Sequence, residues 1–205
     1  MSARVNEQPM LFDGPALRPS WPFGDLEPSS YDVLMIDPPW LFDLYSIKGA
    51  AKSPQAQYRC LTDEEIAALP FGELAAPDCL VWLWSTWPKL PFCLSVLANW
   101  GFSYKTGGAW DKVRMGPGYL IRSQCEPFLL ATKGAPDVVG KSTRNLLRET
   151  RREHSRKPEC AYAALEAMTP GGRRLDVFSR ASRDGWDAWG DEVGTFDVKP
   201  TKGVA

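Results

Sequence analysis

The sequence predicts an α/β domain on a largely parallel sheet with helices on both faces. Two observations carry this prediction. The runs YDVLMI (31–36) and CLVWLWS (79–85) are apolar at successive positions, as in strands buried on both faces. Such runs alternate with helical patterns bounded by caps, glycines and prolines, an alternation that builds parallel sheets. With 205 residues, 44% hydrophobic and 24% charged, the chain suits one domain with a sizeable core.

The elements follow in order. Residues 1–30 are rich in Pro, Gly and polar groups without period, and are expected to form a partly ordered N-terminal arm. The domain is expected over 31–194 and a flexible tail over 195–205. After the first strand, residues 44–60 form a loop long enough for a lid or binding loop. Thr62 and Glu65 make a capping box for a short helix that ends before Pro70. The strand over 79–85 leads to a helix over 87–100, stopped by Gly101. A strand over 102–112 is expected to be irregular at Gly107-Gly108. A Gly- and Arg-bearing loop (113–124) precedes a strand ended by Gly134. The last long helix starts with Pro158 at its first position and Glu159 in its first turn, and Pro170-Gly171-Gly172 end it. RRLDVFSR is a strand that buries Leu175, Val177 and Phe178, and GWDAWGDEV a short aromatic strand or turn.

Composition removes several function classes. No window approaches 18 uninterrupted apolar residues and the N-terminus lacks an apolar signal core, so neither a membrane span nor secretion is expected. The expected location is the cytoplasm of a bacterial or phage-infected host cell. Five scattered cysteines (Cys60, Cys79, Cys93, Cys125, Cys160) contain no C-x-x-C pair, so reduced thiols and no metal are expected. His154 is the sole histidine, and no G-x-S-x-G elbow or G-x-x-x-x-G-K-[ST] loop occurs. Chemistry is left to carboxylates, backbone and aromatic rings. The net charge is −1, yet Lys141, Arg144, Arg148, Arg151, Arg152, Arg156 and Lys157 crowd one stretch. Such a stretch serves either a phosphate backbone or a solvated face.

The first strand ends on Asp37-Pro38-Pro39-Trp40. In open α/β sheets ligands bind beyond the carboxyl ends of strands. The prolines stiffen the turn and lack N–H groups, so their carbonyls can point outward. Asp37, the Pro38 carbonyl and the Trp40 ring then match an aromatic base that bears an exocyclic amino group. Two acceptors on the amino hydrogens would turn the nitrogen lone pair toward an electrophilic methyl sulfonium. A capped turn ending a strand over a core tryptophan accounts for the same four residues, and these residues alone do not decide.

Strand-DPPW resembles motif IV of the amino methyltransferases that use S-adenosylmethionine. The ordered set of DPPW, YRCLTDEEI with Tyr58, LVWLWST, WGF at 100–102, REHSRKP and RRLDVFSR…GWDAWGDE covers 31 to about 193. It resembles the family of the mRNA N6-adenosine methyltransferase catalytic subunit and its bacterial and phage adenine-methylating relatives. The resemblance implies a Rossmann-like, permuted methyltransferase sheet with the catalytic strand before the cofactor strand. It implies catalysis by Asp37, Pro38, Pro39 and Trp40. The cofactor S-adenosylmethionine would be held by Asp37, Lys157, Phe178, Arg180, Ser182, Arg183, Asp191 and Glu192. Lys157 is expected on the methionine carboxylate, aided by a helix N-terminus, and Asp191 and Glu192 on the ribose. The chain departs from the Gly-rich F-x-G-x-G loop of many amino methyltransferases, because Ser179 and Arg180 follow Phe178. The gap from Arg180 to Trp186 is too short for a crossover helix, which takes roughly ten residues or more.

For the substrate the resemblance offers Tyr58, beside the target base, or an ordinary loop aromatic. Trp82 reads as core, and Trp84 as a border of the pocket. Trp110-Asp111-Lys112 line the pocket or form edge structure, and Glu126 is assigned to structure. Lys48, Lys52, Lys112, Arg114, Arg122, Arg144, Arg148, Arg151, Arg152 and Arg156 are the candidates for nucleic-acid contact. The expected activity is methylation of the N6 amino group of adenine in DNA. DNA is preferred over RNA because no zinc finger or added RNA-binding module is visible. The alternatives are an RNA adenosine methyltransferase and a non-catalytic nucleic-acid-binding partner, with a homodimer or a partner subunit left open. No membrane partner is expected.

Overall fold

A computed structural model of the chain describes residues 21–42, 58–116, 118, 120–139, 142–152 and 156–197. Strand β1 (Tyr31–Ile36) is followed by helix α1 (Asp63–Ala68), a single helical turn α2 (Phe71–Leu74) and β2 (Ala75–Trp84). A 3-10 turn (Trp87–Lys89) leads into α3 (Leu90–Asn99), then β3 (Ser103–Asp111), β4 (Cys125–Lys133) and β5 (Leu146–Arg148). Helix α4 (Glu159–Met168), β6 (Arg174–Val177) and β7 (Trp186–Trp189) complete the described elements.

The seven strands lie in the order β5-β3-β4-β2-β1-β6-β7. β2, β1, β6 and β7 are parallel neighbours, as are β3 and β5, while β4 pairs antiparallel with both β2 and β3. The largely parallel sheet is therefore present, with β4 as its one reversed strand among the described residues. β6 pairs with β7 across a connection without a helix, as the short gap required.

The uninterrupted apolar runs have a direct cause. Leu34 and Ile36 point into a core shared with Ile66, Phe71, Val96 and Leu97 from α1, α2 and α3. Val33 and Met35 point the other way, into a core with Ala161, Leu165 and Met168 of α4. Successive residues of β1 thus meet different helical layers, and full burial of each contributes about 1.5–3 kcal/mol.

Local signals resolve as follows. Thr62 accepts from the Glu65 N–H at 3.2 Å, and the Thr62 N–H donates back to Glu65 at 2.8 Å, which completes the capping box. Pro158 stands one residue ahead of its expected place, as the N-cap of α4. The register of β3 shifts between Tyr104 and Thr106, not at the glycines. Gly108 is needed because a side chain there would run into the Asn145 carbonyl and the Phe128 ring. The basic stretch contains a strand, β5, that its polar sequence does not advertise. The expected arm contributes Phe23, 1% exposed, which packs edge-on against Trp189 at 5.0 Å. Residues 1–20, the loop over 43–57 with Lys48 and Lys52, and the tail beyond 197 lie outside the described residues. No helix among the described residues is long and apolar enough to cross a membrane.

Candidate active site

A cleft of about 890 Å³ opens at the carboxyl ends of β1, β6 and β7. It contains the whole DPPW turn at one end and Phe178, Arg180, Asp191 and Glu192 at the other. A smaller hollow of about 80 Å³, lined by Asp37, Arg156, Asp176 and Ser182 among others, adjoins it. The volume of the cleft is in the range of small-molecule sites.

The DPPW turn is held by its own backbone. The Trp40 N–H donates to the Pro38 carbonyl at 2.9 Å. The Leu61 N–H donates to the Pro39 carbonyl at 2.8 Å, and the Leu41 N–H to the Leu61 carbonyl at 3.1 Å. Pro38 lines the cleft, and its carbonyl thus spends one lone pair within the turn and keeps the second for a base. Trp40 is 5% exposed and packs edge-on against Phe92 at 6.0 Å. Its ring is chiefly core, and the stacking surface expected of it reduces to the part that lines the cleft.

A chain of charges runs behind this turn. The Lys157 ammonium lies 2.9 Å from Asp37 Oδ1 and 2.6 Å from Glu126 Oε1, and Lys112 lies 2.5 Å from Glu126 Oε2. The ammonium also sits 4.8 Å from the Trp84 ring centroid. Burial pushes the Asp37 carboxyl above the usual range and the Lys157 ammonium counters it; Glu126 acts in the same direction as burial. Burial also opposes the charge on Glu126, but Lys157 and Lys112 outweigh it and hold that carboxyl below its usual value. The two carboxylates raise the Lys157 ammonium, against burial. Lys157 was expected on the methionine carboxylate at a helix N-terminus. The N-terminal amides of α4 are instead occupied by Glu149, which accepts from Glu159 N–H at 3.0 Å and Cys160 N–H at 2.9 Å. A side-chain carboxylate fills the anion position, and Lys157 turns to Asp37. Trp84, fully buried, is the floor under Lys157 and does not border the cleft. Glu126, assigned to structure from sequence, lines the cleft as part of this chain.

At the far end, Phe178 carries a left-handed φ of 62° directly after β6. The close backbone approach that a Gly-rich loop would allow comes from Gly190 instead. Its φ is 149°, and a Cβ there would lie 2.9 Å from Phe178 Cα. Arg180 pairs with Glu192 at 2.9 Å and stacks on Tyr58 at 5.3 Å and Phe196 at 4.6 Å. Tyr58 thus lines the cleft beside Arg180, one of the expected cofactor residues. Asp191 lines the cleft after β7, the place where ribose hydroxyls are held in nucleotide-binding sheets. Ser182 offers its N–H to Asp197 at 2.8 Å, and Arg183 is bound by Glu166 at 2.8 Å and Glu159 at 2.5 Å. Both border the small hollow rather than the main cleft.

Asp176 of β6 is 7% exposed and accepts from Tyr162 Oη at 2.9 Å. Burial raises its carboxyl to about 7, against the hydrogen bonds from Tyr162 and Ser179. Between its unfolded and folded values the native state therefore binds more protons, so its contribution to stability falls as pH rises toward 7. In Asp176→Asn this fall should vanish. Urea unfolding at pH 5 and pH 8 should show the variant gaining on the parent by roughly 2–4 kcal/mol at the higher pH. An unchanged difference would refute the assignment.

The remaining cations divide by position. Lys112, Arg151, Arg152 and Arg156 line the cleft. Arg152 is tied to Glu159 at 2.9 Å and to the Lys157 carbonyl at 2.8 Å. Arg114, Arg122, Arg144 and Arg148 stand exposed and outside it. Trp110 lines the cleft and donates to the Glu149 carbonyl at 2.8 Å, while Asp111 accepts from Gln124 at 2.9 Å. Among the described residues no group of His, Cys, Asp and Glu has the makings of a metal site.

Comparison with known proteins gives this geometry its context. A family model described as MT-A70 matches residues 31–192. The Type II methyltransferase M.MunI of Mycoplasma sp. is 31% identical over 200 residues, covering 88% of this chain and 86% of that protein. The N6-methyladenosine RNA methyltransferase MTA1 of Pyricularia oryzae is 29% identical over 191 residues, covering 83% and 49%. The N(6)-adenine-specific methyltransferase METTL4 of Mus musculus is 25% identical over 187 residues, covering 82% and 38%. The chain spans most of the first of these and less than half of the other two.

Proposed function

The chain belongs to the MT-A70 family, and from that premise we propose that it methylates the N6 amino group of adenine in DNA with S-adenosylmethionine as donor. One observation carries the reading. A single cleft joins Asp37, an acceptor for an amino group, to a ribose-type carboxylate site at Asp191. Donor and acceptor can therefore meet inside it.

The residues present fit the donor. Its adenosine would lie between Phe178 and Asp191, and its charged amino-acid end toward the small hollow, where Arg156 and Asp176 offer charges of both signs. When bound, the donor supplies a methyl group already activated on sulfonium sulfur. The chain's own task is positioning and electrostatics. Asp37, with Oδ1 on Lys157, accepts from the amino group and keeps the nitrogen lone pair turned toward the methyl carbon. With the methyl passed from sulfur to nitrogen, Asp37 would take the extra proton on nitrogen and hand it to water. The target base has to leave a duplex to reach this depth.

A DNA substrate is supported by the match along 86% of a type II methyltransferase. RNA is the second reading, favoured by the relatives named as RNA methyltransferases. The test is transfer from methyl-labelled S-adenosylmethionine to single-stranded DNA, duplex DNA and RNA side by side. N6-methyladenine in DNA is the expected product. Transfer to RNA alone would replace the first reading by the second. Failure of the chain to bind the cofactor in calorimetry would favour a non-catalytic role.

A further inference from the structure

β3 and β4 form an antiparallel hairpin whose foot lies at the wall of the cleft. Trp110, Lys112 and Glu126 at its foot are cleft residues. Its arms stay tied beyond the sheet: Lys112 N–H donates to the Gln124 carbonyl at 3.0 Å, and Gly116 N–H to the Ser123 carbonyl at 2.7 Å. Arg122 Nε adds a bond to the Gly116 carbonyl at 3.3 Å. Past these ties stand Leu120 and Ile121, 100% and 82% exposed, and Met115 between the ties is 61% exposed. A braced hairpin that holds bulky apolar side chains in water carries a cost that folding does not recover.

The surroundings indicate what relieves it. Arg114 and Arg122 are exposed on the same hairpin, and Arg148 on the adjoining β5. Trp87, 49% exposed, donates its indole N–H to the Cys125 carbonyl at the foot, at 3.2 Å. An apolar tip flanked by cations suits a polyanion that has an apolar interior, and a base stack between two phosphate chains is such a partner. From Gln124 to Leu120 is four residues, a reach of at most about 13 Å when extended at strand rise. That exceeds the depth of either groove, about 8.5 Å for the major and about 7.5 Å for the minor.

We propose that this hairpin is a wedge for duplex DNA: Leu120 and Ile121 enter the stack where the target adenine leaves it, and Arg114 and Arg122 hold the flanking phosphates. The proposal rests on the reading of the chain as an adenine methyltransferase acting on DNA and deepens it, because it makes duplex the substrate the hairpin serves. Extrusion of a base leaves a gap in the stack, and apolar side chains of minor-groove proteins insert between base steps of a duplex.

The test is the double variant Leu120→Ser/Ile121→Ser. Both positions are exposed, so the fold is not at stake. Methylation of duplex DNA should fall at least about tenfold, and methylation of the same strand alone should change by less than about twofold, since a free strand needs no wedge. Permanganate oxidation of the thymine opposite the target adenine reports opening without any methyl transfer. The parent should raise it, and the variant should return it to the level of free duplex. Equal losses on both substrates, or unchanged permanganate reactivity, would overturn the wedge. So would sedimentation showing a dimer that the variant dissolves, which would assign the tip to a second copy of the chain. If the parent methylates no adenine but still opens the duplex, the functional reading fails and the wedge stands.

Discussion

Asp37→Asn is expected to lower methyl transfer to adenine by about 10²–10³-fold, the size seen when one group aimed at a developing charge is lost. Asparagine keeps the shape of the side chain at the end of β1. It loses the negative charge that draws on the amino hydrogens, and it cannot carry the departing proton. Because Pro38 spends one lone pair on the Trp40 N–H, Asp37 is the main acceptor left at this turn. The loss should therefore appear chiefly in kcat. The burial that raises Asp37 adds a pH signature. In the parent, kcat/KM should climb with pH along a limb above the ordinary carboxylate range, and that limb should be missing from the variant's residual rate. Retention of more than about a tenth of the parent kcat would refute the role of Asp37, since even one lost donor costs more.

The second large effect is expected at Lys157. Its ammonium, 9% exposed, serves Asp37 and Glu126 at once. Lys157→Met removes the shared cation and leaves partly buried carboxylates behind, a loss of up to about 3–5 kcal/mol in urea unfolding at pH 8. Glu126 keeps Lys112 at 2.5 Å, so the carboxylate left alone is Asp37. Adding Asp37→Asn to the variant should thus restore more stability than adding Glu126→Gln. The pH sign follows. Asp37 is already raised by burial and loses the group that restrains it, so its carboxyl rises further. Any residual activity should show its acid limb moved to higher pH, and the stability deficit should shrink on acidification as Asp37 takes up its proton. Equal rescue by the two second-site changes would show that the chain of charges is not arranged as described.

Much of the fold was legible because its signals are local. The capping box at Thr62 and Glu65, the stop at Gly101 and the apolar runs of β1 and β2 each act within a few residues. β5 was hidden because three residues in a basic stretch carry no period; it exists because Ala109 and Trp110 offer it a parallel edge. The glycines of β3 marked a close approach, and no local pattern tells close approach from a bulge. Glu126 was undervalued because a single glutamate at the start of a strand has no motif. Lys112, two residues after Trp110, pointed toward it only once the fold brought the lysine against the glutamate.

The site divides in the same way. The sequence by itself determined the chemistry available at the end of β1: a carboxylate, a stiff turn and an aromatic ring in covalent succession, together with the ordered motifs that mark the family. Covalent neighbours remain neighbours in any fold, so those residues needed no structure to be brought together. Tertiary structure alone decided how their capacity is spent. It buried the Trp40 ring, closed the Pro38 carbonyl on its own turn, and gave the amides of α4 to Glu149. It also bent Lys157, 120 residues beyond Asp37 in number, back between two acids. Which partner a charge finds depends on distances set by strand order and packing, and those distances are not written in spacing along the chain.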